Sequence, residues 1–374
     1  MSIAVSMFWG CRNKTIFDPA RLGFGARAMT KTLKLHIGQH KTGTSFLQSV
    51  LALSTEALAA VGILYPTDKS TSRAASGGVS FGNWPSFMAL LETPDLLDQM
   101  AEPVVLFSSE GFCENLPEPD FLDHFQRLVA DDRIRAVEVL LYIRDPVAYA
   151  ISYAQQLTKR AGMGLLEAEA IFAQVSGPAA ARSVMQVLDT VPKGRLTVLN
   201  YSVVRSRLTD SFADWLGFDA AALTVPPQGV VNRSMTPSEV MLIAAVNRGM
   251  EKASMTLADA LVNRLPDVTA QHLRPSLDAQ NSYWDRIAPD VDWINARVPP
   301  DQAYLRPRDL GPPVSPADSA GFSSAQIEVI GDVLASALAE VQMLRLTLTD
   351  LRKRGATQRE KIAELKETLA RRRI

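Results

Sequence analysis

From Leu33 onward, short apolar runs alternate with longer stretches of helical spacing, and this alternation limits the possible folds more than any other feature. Leu33–Ile37, Gly62–Tyr65, Val104–Phe107, Val137–Ile143 and Leu196–Asn200 read as strands. Ser45–Ala60, Phe121–Ala130, Val147–Arg160 and Ala179–Thr190 read as the helices between them. Strands separated by helices imply crossover connections, hence a parallel sheet covered on both faces: an α/β core of three layers. Such sheets bind ligands outside the carboxyl ends of their strands. Chemistry is therefore expected in the loops that follow Ile37, Phe107 and Ile143.

The first of these loops carries the strongest signal. Leu35-His36-Ile37-Gly38-Gln39-His40-Lys41-Thr42-Gly43-Thr44-Ser45-Phe46 runs a strand through a glycine-bounded turn into a helix. Unpaired amides at a helix start, together with the helix dipole, favour an anion there. Gly43 allows close approach of the backbone, Lys41 adds a positive charge, and Thr42, Thr44 and Ser45 add hydroxyl donors. The spacing is not that of a Walker A motif, in which the lysine follows the second glycine. An ordinary strand-to-helix turn with a capping hydroxyl is the plainer alternative.

Composition removes several classes. A hydrophobic fraction of 47% and a charged fraction of 21% over 374 residues describe a chain able to bury a large core. The two cysteines, Cys11 and Cys113, supply neither a disulfide framework nor a cysteine-built metal site. No apolar run reaches the roughly 18–20 residues that span a bilayer, and the opening residues lack the basic leader of a signal peptide. The net charge of −1 is unevenly spread: five basic residues against Asp18 give +4 over 1–31. Nine basic residues against three glutamates give +6 over 352–374, leaving −11 for the middle. An acidic body argues against a nucleic-acid partner. A cytoplasmic location follows as the expectation.

The loop form His-Ile-Gly-x-x-Lys-Thr-Gly-Thr resembles the 5′-phosphosulfate loop of sulfotransferases that use 3′-phosphoadenosine 5′-phosphosulfate (PAPS), in its bacterial, carbohydrate-type branch. The resemblance implies a P-loop NTPase-like fold, PAPS as co-substrate with no metal, and a hydroxyl-bearing acceptor such as a glycan or glycolipid. It spans residues 33–200 with specific motifs and reaches more weakly toward 340. A second segment fits it. Tyr142-Ile143-Arg144-Asp145-Pro146 ends a strand in an arginine, with Asp145 as N-cap and Pro146 as first helical residue. A guanidinium there can grip a phosphate in bidentate fashion, and in the family an arginine here and a serine eight residues later bind the 3′-phosphate. Arg144 and Ser152 reproduce that spacing. Lys41 and Arg144 are thus expected to face each other across a bisphosphate-sized gap. The glycine-rich segment that closes over the adenine in cytosolic members has no match, which leaves open how the base is held.

An acceptor hydroxyl also needs a base within reach. Glu110 follows the strand Val104–Phe107 on the same rim, and several carbohydrate-acting members of the family use glutamate; His40, beside Lys41, is the rival. His36 reads as a packed residue at the sheet end, and His124 and His272 as structural. Asn232-Arg233-Ser234 reads equally as a ligand-facing segment or a capping turn. A P-loop kinase and a non-catalytic assembly protein built on the nucleotide fold are the competing readings.

The domain plan is an N-terminal extension over 1–30, with Met29 as a second candidate start, then a sulfotransferase-like domain over 31–340 and a basic tail over 341–374. The domain divides into a core at 33–225 and helical additions at 226–340. Thr236 should cap a helix over Pro237–Arg248, and residues 299–316 should form an irregular loop. Residues 66–100 and those after 226 are expected to supply acceptor loops. In the tail, Val341, Leu344, Leu348, Leu351, Ile362, Leu365 and Leu369 keep a 3-4 spacing that Gly355 and Gln358 interrupt. It offers a short coiled coil for self-association, or contact with acidic lipid at the inner face of a membrane through Arg371, Arg372 and Arg373. A solvated helix that frays is the plain alternative.

Overall fold

The computed structural model describes residues 30–78, 80–160, 172, 175–227, 233–249, 254–268, 275–309, 313–314 and 321–371. Residues 1–29 with Cys11 and Met29, and also Asn232, His272, Arg372 and Arg373, lie outside the described residues.

Five strands form one all-parallel sheet: β1 (Lys31–Gly38), β2 (Ile63–Leu64), β3 (Val104–Ser109), β4 (Ile134–Ile143) and β5 (Gly194–Asn200). Their order is β2-β3-β1-β4-β5. The chain leaves β1 for β2, returns to β3 alongside β1, and then crosses to the other side for β4 and β5. That reversal makes β1 the centre of the sheet and opens a crevice beyond its carboxyl end.

The helices of the core are α1 (Thr44–Leu53), α2 (Thr55–Ala60), α3 (Lys69–Ala75), α4 (Trp84–Glu92), α5 (Gly111–Asn115), α6 (Pro119–Ala130), α7 (Pro146–Arg160), α8 (Gly177–Leu188), α9 (Tyr201–Val204) and α10 (Leu208–Leu216). Further helices follow: α11 (Pro237–Gly249), α12 (Ser254–Arg264), α13 (Leu277–Asn295) and α14 (Ser324–Arg371). Strand alternation sorts the sheet into two faces. Leu33, Leu35, Ile37, Val105, Phe107, Val139 and Leu141 pack with α4, α6, α8 and α13. Leu106, Leu140 and Tyr142 face the other way, against α1 and α10. The expected three-layer α/β core is present, and no strand joins the sheet beyond β5 among the described residues.

Two expectations change. The helix expected over Ser45–Ala60 is two helices, because the chain turns at Ser54, whose amide closes onto the Leu51 carbonyl and whose hydroxyl accepts from the Thr224 amide at 2.8 Å. Residues 66–100, expected as loop, are mostly helical. Asp68 and Thr71 form a capping box for α3, and α4 buries Phe87, Leu90 and Leu91. Each is too short to display a period. The tail spacing belongs to α14, which begins at Ser324 and continues through Gly355 without a break, although glycine costs about 1 kcal/mol inside a helix.

The C-terminal helices form a small core of their own around Met235, Val240, Ile243, Ala258 and Val262. Thr236 caps α11 as expected: the Glu239 amide donates to Thr236 Oγ1 at 3.2 Å and the Thr236 amide donates to Glu239 Oε2 at 2.8 Å. The same Glu239 binds the buried Arg233 through both carboxylate oxygens at 2.8 Å, so Arg233 holds this turn together.

Candidate functional site

The sheet order sets out the rim of the crevice. Glu110 follows β3, the Gln39–Gly43 loop follows β1, Arg144 follows β4, and Arg205 stands just beyond β5. Since β3 and β4 flank β1, Glu110 and Arg144 stand on opposite sides of the loop, two strand spacings or roughly 10 Å apart at the sheet.

The loop is tightly wound around its own hydroxyls. Thr42 and Thr44 are buried, Thr42 Oγ1 donates to the Gln39 carbonyl at 2.7 Å, and the two hydroxyls lie 3.4 Å apart. A Cβ on Gly38 would fall 2.1 Å from Thr44 Oγ1, so only glycine fits there. Gly43 caps α1 at φ 78°, and a side chain on it would meet Leu208 at 2.6 Å. No side chain caps α1, so its first amides are not claimed by a capping hydroxyl or carboxylate. Ser45 stands in the first turn, half-buried. Lys41 itself adopts φ 67°, a left-handed conformation that costs a residue with a Cβ roughly 1–2 kcal/mol. That geometry is held from across the crevice: Arg144 Nη1 donates to the Lys41 carbonyl at 2.7 Å. Gln39, buried, accepts from the Arg144 amide at 3.3 Å and donates to the Gly177 carbonyl at 2.8 Å, which ties the loop to β4 and α8.

On the far side of Arg144 lies a cavity of about 650 Å³. Arg144 and Ser152 both line it, as does Arg205, and Trp284 and Leu305 give it an apolar wall. The Arg144 guanidinium sits 5.6 Å from the centre of the Tyr201 ring, and burial lowers its pKa from the ordinary arginine value. Lys41 and Glu110 are not among the residues that line this cavity. The structure thus brings Arg144 against the backbone of the lysine loop and Ser152 to the same wall as Arg144, but it does not put the Lys41 side chain on that wall.

Glu110 and His40 prove to be partners. His40 Nδ1 and Glu110 Oε2 are 2.8 Å apart, and His40 Nε2 and Glu114 Oε1 are 2.7 Å apart. Burial alone would lower the histidine pKa, but the hydrogen bonds to Glu110 and Glu114, with the charges of both, outweigh it and lift the value to about 9. At neutral pH His40 is therefore an imidazolium that donates from both nitrogens, which leaves no free lone pair for a base. Glu114 is pulled below the usual carboxylate range by its hydrogen bond to His40, against the opposing effect of burial. His36, by contrast, is fully buried, bonds Ser108 Oγ at 2.8 Å and is pushed down to about 3, so it stays neutral in the sheet as a packed residue. His124 sits on the exposed face of α6, bonded to the Asp120 carbonyl.

The residues that sequence reading missed are Gln39, Glu114, Arg205 and Trp284. For Arg205 a signal existed, because the rule that placed chemistry beyond β1, β3 and β4 applies equally beyond β5. Glu114 follows Glu110 by one helical turn, but α5 is only five residues long and has no period to betray it. The left-handed Lys41 has no signature in sequence at all.

No family model matches the chain, and no curated protein matches it. Two solved structures are similar to it in part. One is the sulfotransferase domain from the curacin biosynthetic pathway, 12% identical with a TM-score of 0.33, covering 70% of this chain and 99% of that one. The other is the sulfotransferase domain from the Synechococcus PCC 7002 olefin synthase, 12% identical with a TM-score of 0.31, covering 67% of this chain and all of that one.

Proposed function

We propose that the chain is a sulfotransferase that moves a sulfuryl group from PAPS to a hydroxyl acceptor, with a glycan or glycolipid as the acceptor class. One observation carries the reading: the Arg144 guanidinium, half-buried, has one hydrogen-bond acceptor among the described residues and stands with Ser152 on the wall of a cavity beside the lysine loop. A half-buried guanidinium with donors to spare seeks an anion, and planar bidentate recognition of phosphate is its best use.

In this reading Arg144 and Ser152 hold the 3′-phosphate. Lys41, Thr42, Gly43, Thr44 and Ser45 receive the 5′-phosphosulfate end, where the uncapped amides of α1 favour negative charge. Sulfuryl transfer, like phosphoryl transfer, passes through a loose in-line transition state with charge gathering on the leaving oxygen. Lys41 and the loop amides meet that charge as the sulfur–oxygen bond to the 5′-phosphate breaks. Glu110 accepts the acceptor's proton as the new oxygen–sulfur bond forms. His40 occupies Glu110 Oε2, which leaves Oε1 for that proton.

The test is a thermal melt against a small nucleotide panel. Adenosine 3′,5′-bisphosphate at a hundredfold excess over its dissociation constant should stabilise the fold by about 2.7 kcal/mol, and Mg–ATP at the same concentration should do far less. Equal stabilisation by both would favour a P-loop kinase over sulfate chemistry.

A further inference from the structure

The first turns of α14 belong to the body of the protein. Gln326 and Val329 are buried, Gln326 Nε2 donates to the buried Glu239 at 2.8 Å, and Arg264 pairs with Asp332 at 2.6 Å. Beyond Asp332 the helix leaves that support. Leu334, Val341, Leu344, Leu348, Leu351 and Ile362 are each between 44% and 61% exposed. With Ala337, Gly355 and Gln358 they fall at alternating intervals of three and four, the a and d positions of a heptad, and Leu365 and Leu369 continue the spacing in sequence. From Leu334 to Ile362 that seam runs roughly 42 Å along one helix. Leu338, also exposed, lies beside it at an e position, while Met343 and Leu346 are exposed at outer positions.

The flanks of the seam decide what can cover it. From 345 to 361 the e and g positions are Arg345, Thr347, Arg352, Arg354, Arg359 and Lys361. The only acidic residues in that stretch, Asp350 and Glu360, fall at outer positions, and Asp350 pairs with Arg354 one turn on at 2.8 Å. A second copy of this helix, parallel, gains Glu340 against Arg345 but sets Arg354 against Arg359 and Lys361 against Lys366; antiparallel, it sets the e and g arginines against their own kind. Both arrangements crowd like charges along the seam edge, which disfavours self-pairing. A lipid surface fits less well. Interfacial helices carry a broad apolar face with Trp or Phe anchors, whereas this seam is narrow, holds Gln358, and no aromatic residue occurs between 324 and 371. A polar residue at one seam position is a device that fixes register between helices.

We propose that α14 is the basic strand of a heteromeric coiled coil whose partner is a helix with an aliphatic a/d seam flanked by aspartate and glutamate. The assignment rests on α14 alone and holds whether or not the chain transfers sulfate.

The test uses the full chain with synthetic four-heptad peptides carrying isoleucine at a and leucine at d. One peptide has glutamate at e and g, its twin has lysine there, and phosphatidylglycerol vesicles serve as a third probe. In sedimentation the chain alone should remain a monomer at micromolar concentration. It should bind the glutamate peptide one to one, with affinity falling as salt rises, and bind the lysine twin at least about tenfold more weakly. A variant with Leu344→Asp and Leu348→Asp should lose the peptide without a change in the melting of the body. Replacement of Arg345, Arg352, Arg354, Arg359 and Lys361 by glutamate should reverse the preference toward the lysine twin. A stable homodimer that ignores the glutamate peptide, binding to vesicles without binding to the peptide, or a charge-reversed variant with unchanged preference would each overturn the assignment.

Discussion

Arg233 is buried and Arg144 half-buried, and the two are held there for opposite reasons. Arg233, at the entry to α11, places its donors on both oxygens of Glu239 and on the carbonyls of Leu265, Ser234 and Leu261, at 2.6 to 3.0 Å. Arg144, at the end of β4, has the Lys41 carbonyl and the face of Tyr201, and no carboxylate within ion-pair distance among the described residues. A guanidinium has five donors. In Arg233 they are filled by the protein itself, whereas in Arg144 one has an acceptor among the described residues and the residue lines a cavity. Burial alone therefore does not mark a binding residue. The supply of acceptors around the group does, and under the proposed function it divides these two regions into a clasp and a seat.

Substitution at each arginine should separate the two roles, and the larger effect belongs to the clasp. Arg233→Ala leaves Glu239 charged, fully buried and short of its main partner, and loss of one member of a buried pair costs about 3–5 kcal/mol. Chemical denaturation should show that loss, while the affinity of the folded fraction for adenosine 3′,5′-bisphosphate stays as it was. If the variant unfolds too far for binding to be measured, Arg233→Lys retains the charge without the fork, and it should lose part of the stability with no loss of affinity. A drop in affinity with little destabilisation would show that the clasp reading is wrong.

Arg144→Ala should show the reverse pattern. Its folded-state hydrogen bond to one carbonyl, at a half-buried site, is worth about 1.5 kcal/mol to stability, the low end for a charged donor. Its contribution to a bound phosphate is that of a charged pair, about 1.5–3 kcal/mol, or roughly tenfold to 150-fold in affinity. Titration calorimetry with adenosine 3′,5′-bisphosphate should record that weakening, and 5′-AMP, which lacks the 3′-phosphate, should scarcely register the change. Parallel losses for both nucleotides would remove the 3′-phosphate from this arginine.

The same contrast explains how much could be read from the sequence. The parallel sheet was legible because five separate runs of buried aliphatics, each ending near a helix start, admit few other arrangements. Arg144 was legible for the same reason, since an apolar strand that runs into Arg-Asp-Pro fixes both its position on the rim and the helix that follows. Arg233 was not, although the Thr236 cap was plain. A capping glutamate and an arginine six residues before it read alike whether the arginine turns back onto the cap or points into a pocket. What separates them is the return of the Leu261 and Leu265 carbonyls from α12, a long-range contact with no local trace. The pairing of His40 with Glu110 lay beyond reach likewise, because it joins the loops of two strands 70 residues apart.

That pairing offers the finest probe of the rim, through pH. His40 is raised in the folded protein from an ordinary histidine value near 6.5 to about 9, as its bonds to Glu110 and Glu114 outweigh the cost of burial. A group whose folded pKa is raised binds its proton more tightly in the native state. Its contribution to stability is whole below about pH 6.5 and is lost as pH climbs through about 9. Glu114 is 62% open to water, so screening reduces what the shift alone suggests, and an effect of about 1 kcal/mol is the expectation. Wild type and His40→Gln should therefore differ in urea midpoint at pH 6 and converge by pH 10. Should the difference persist unchanged across that range, His40 supports the rim by packing against Tyr153, 5.6 Å away between ring centres, rather than as a cation between two carboxylates.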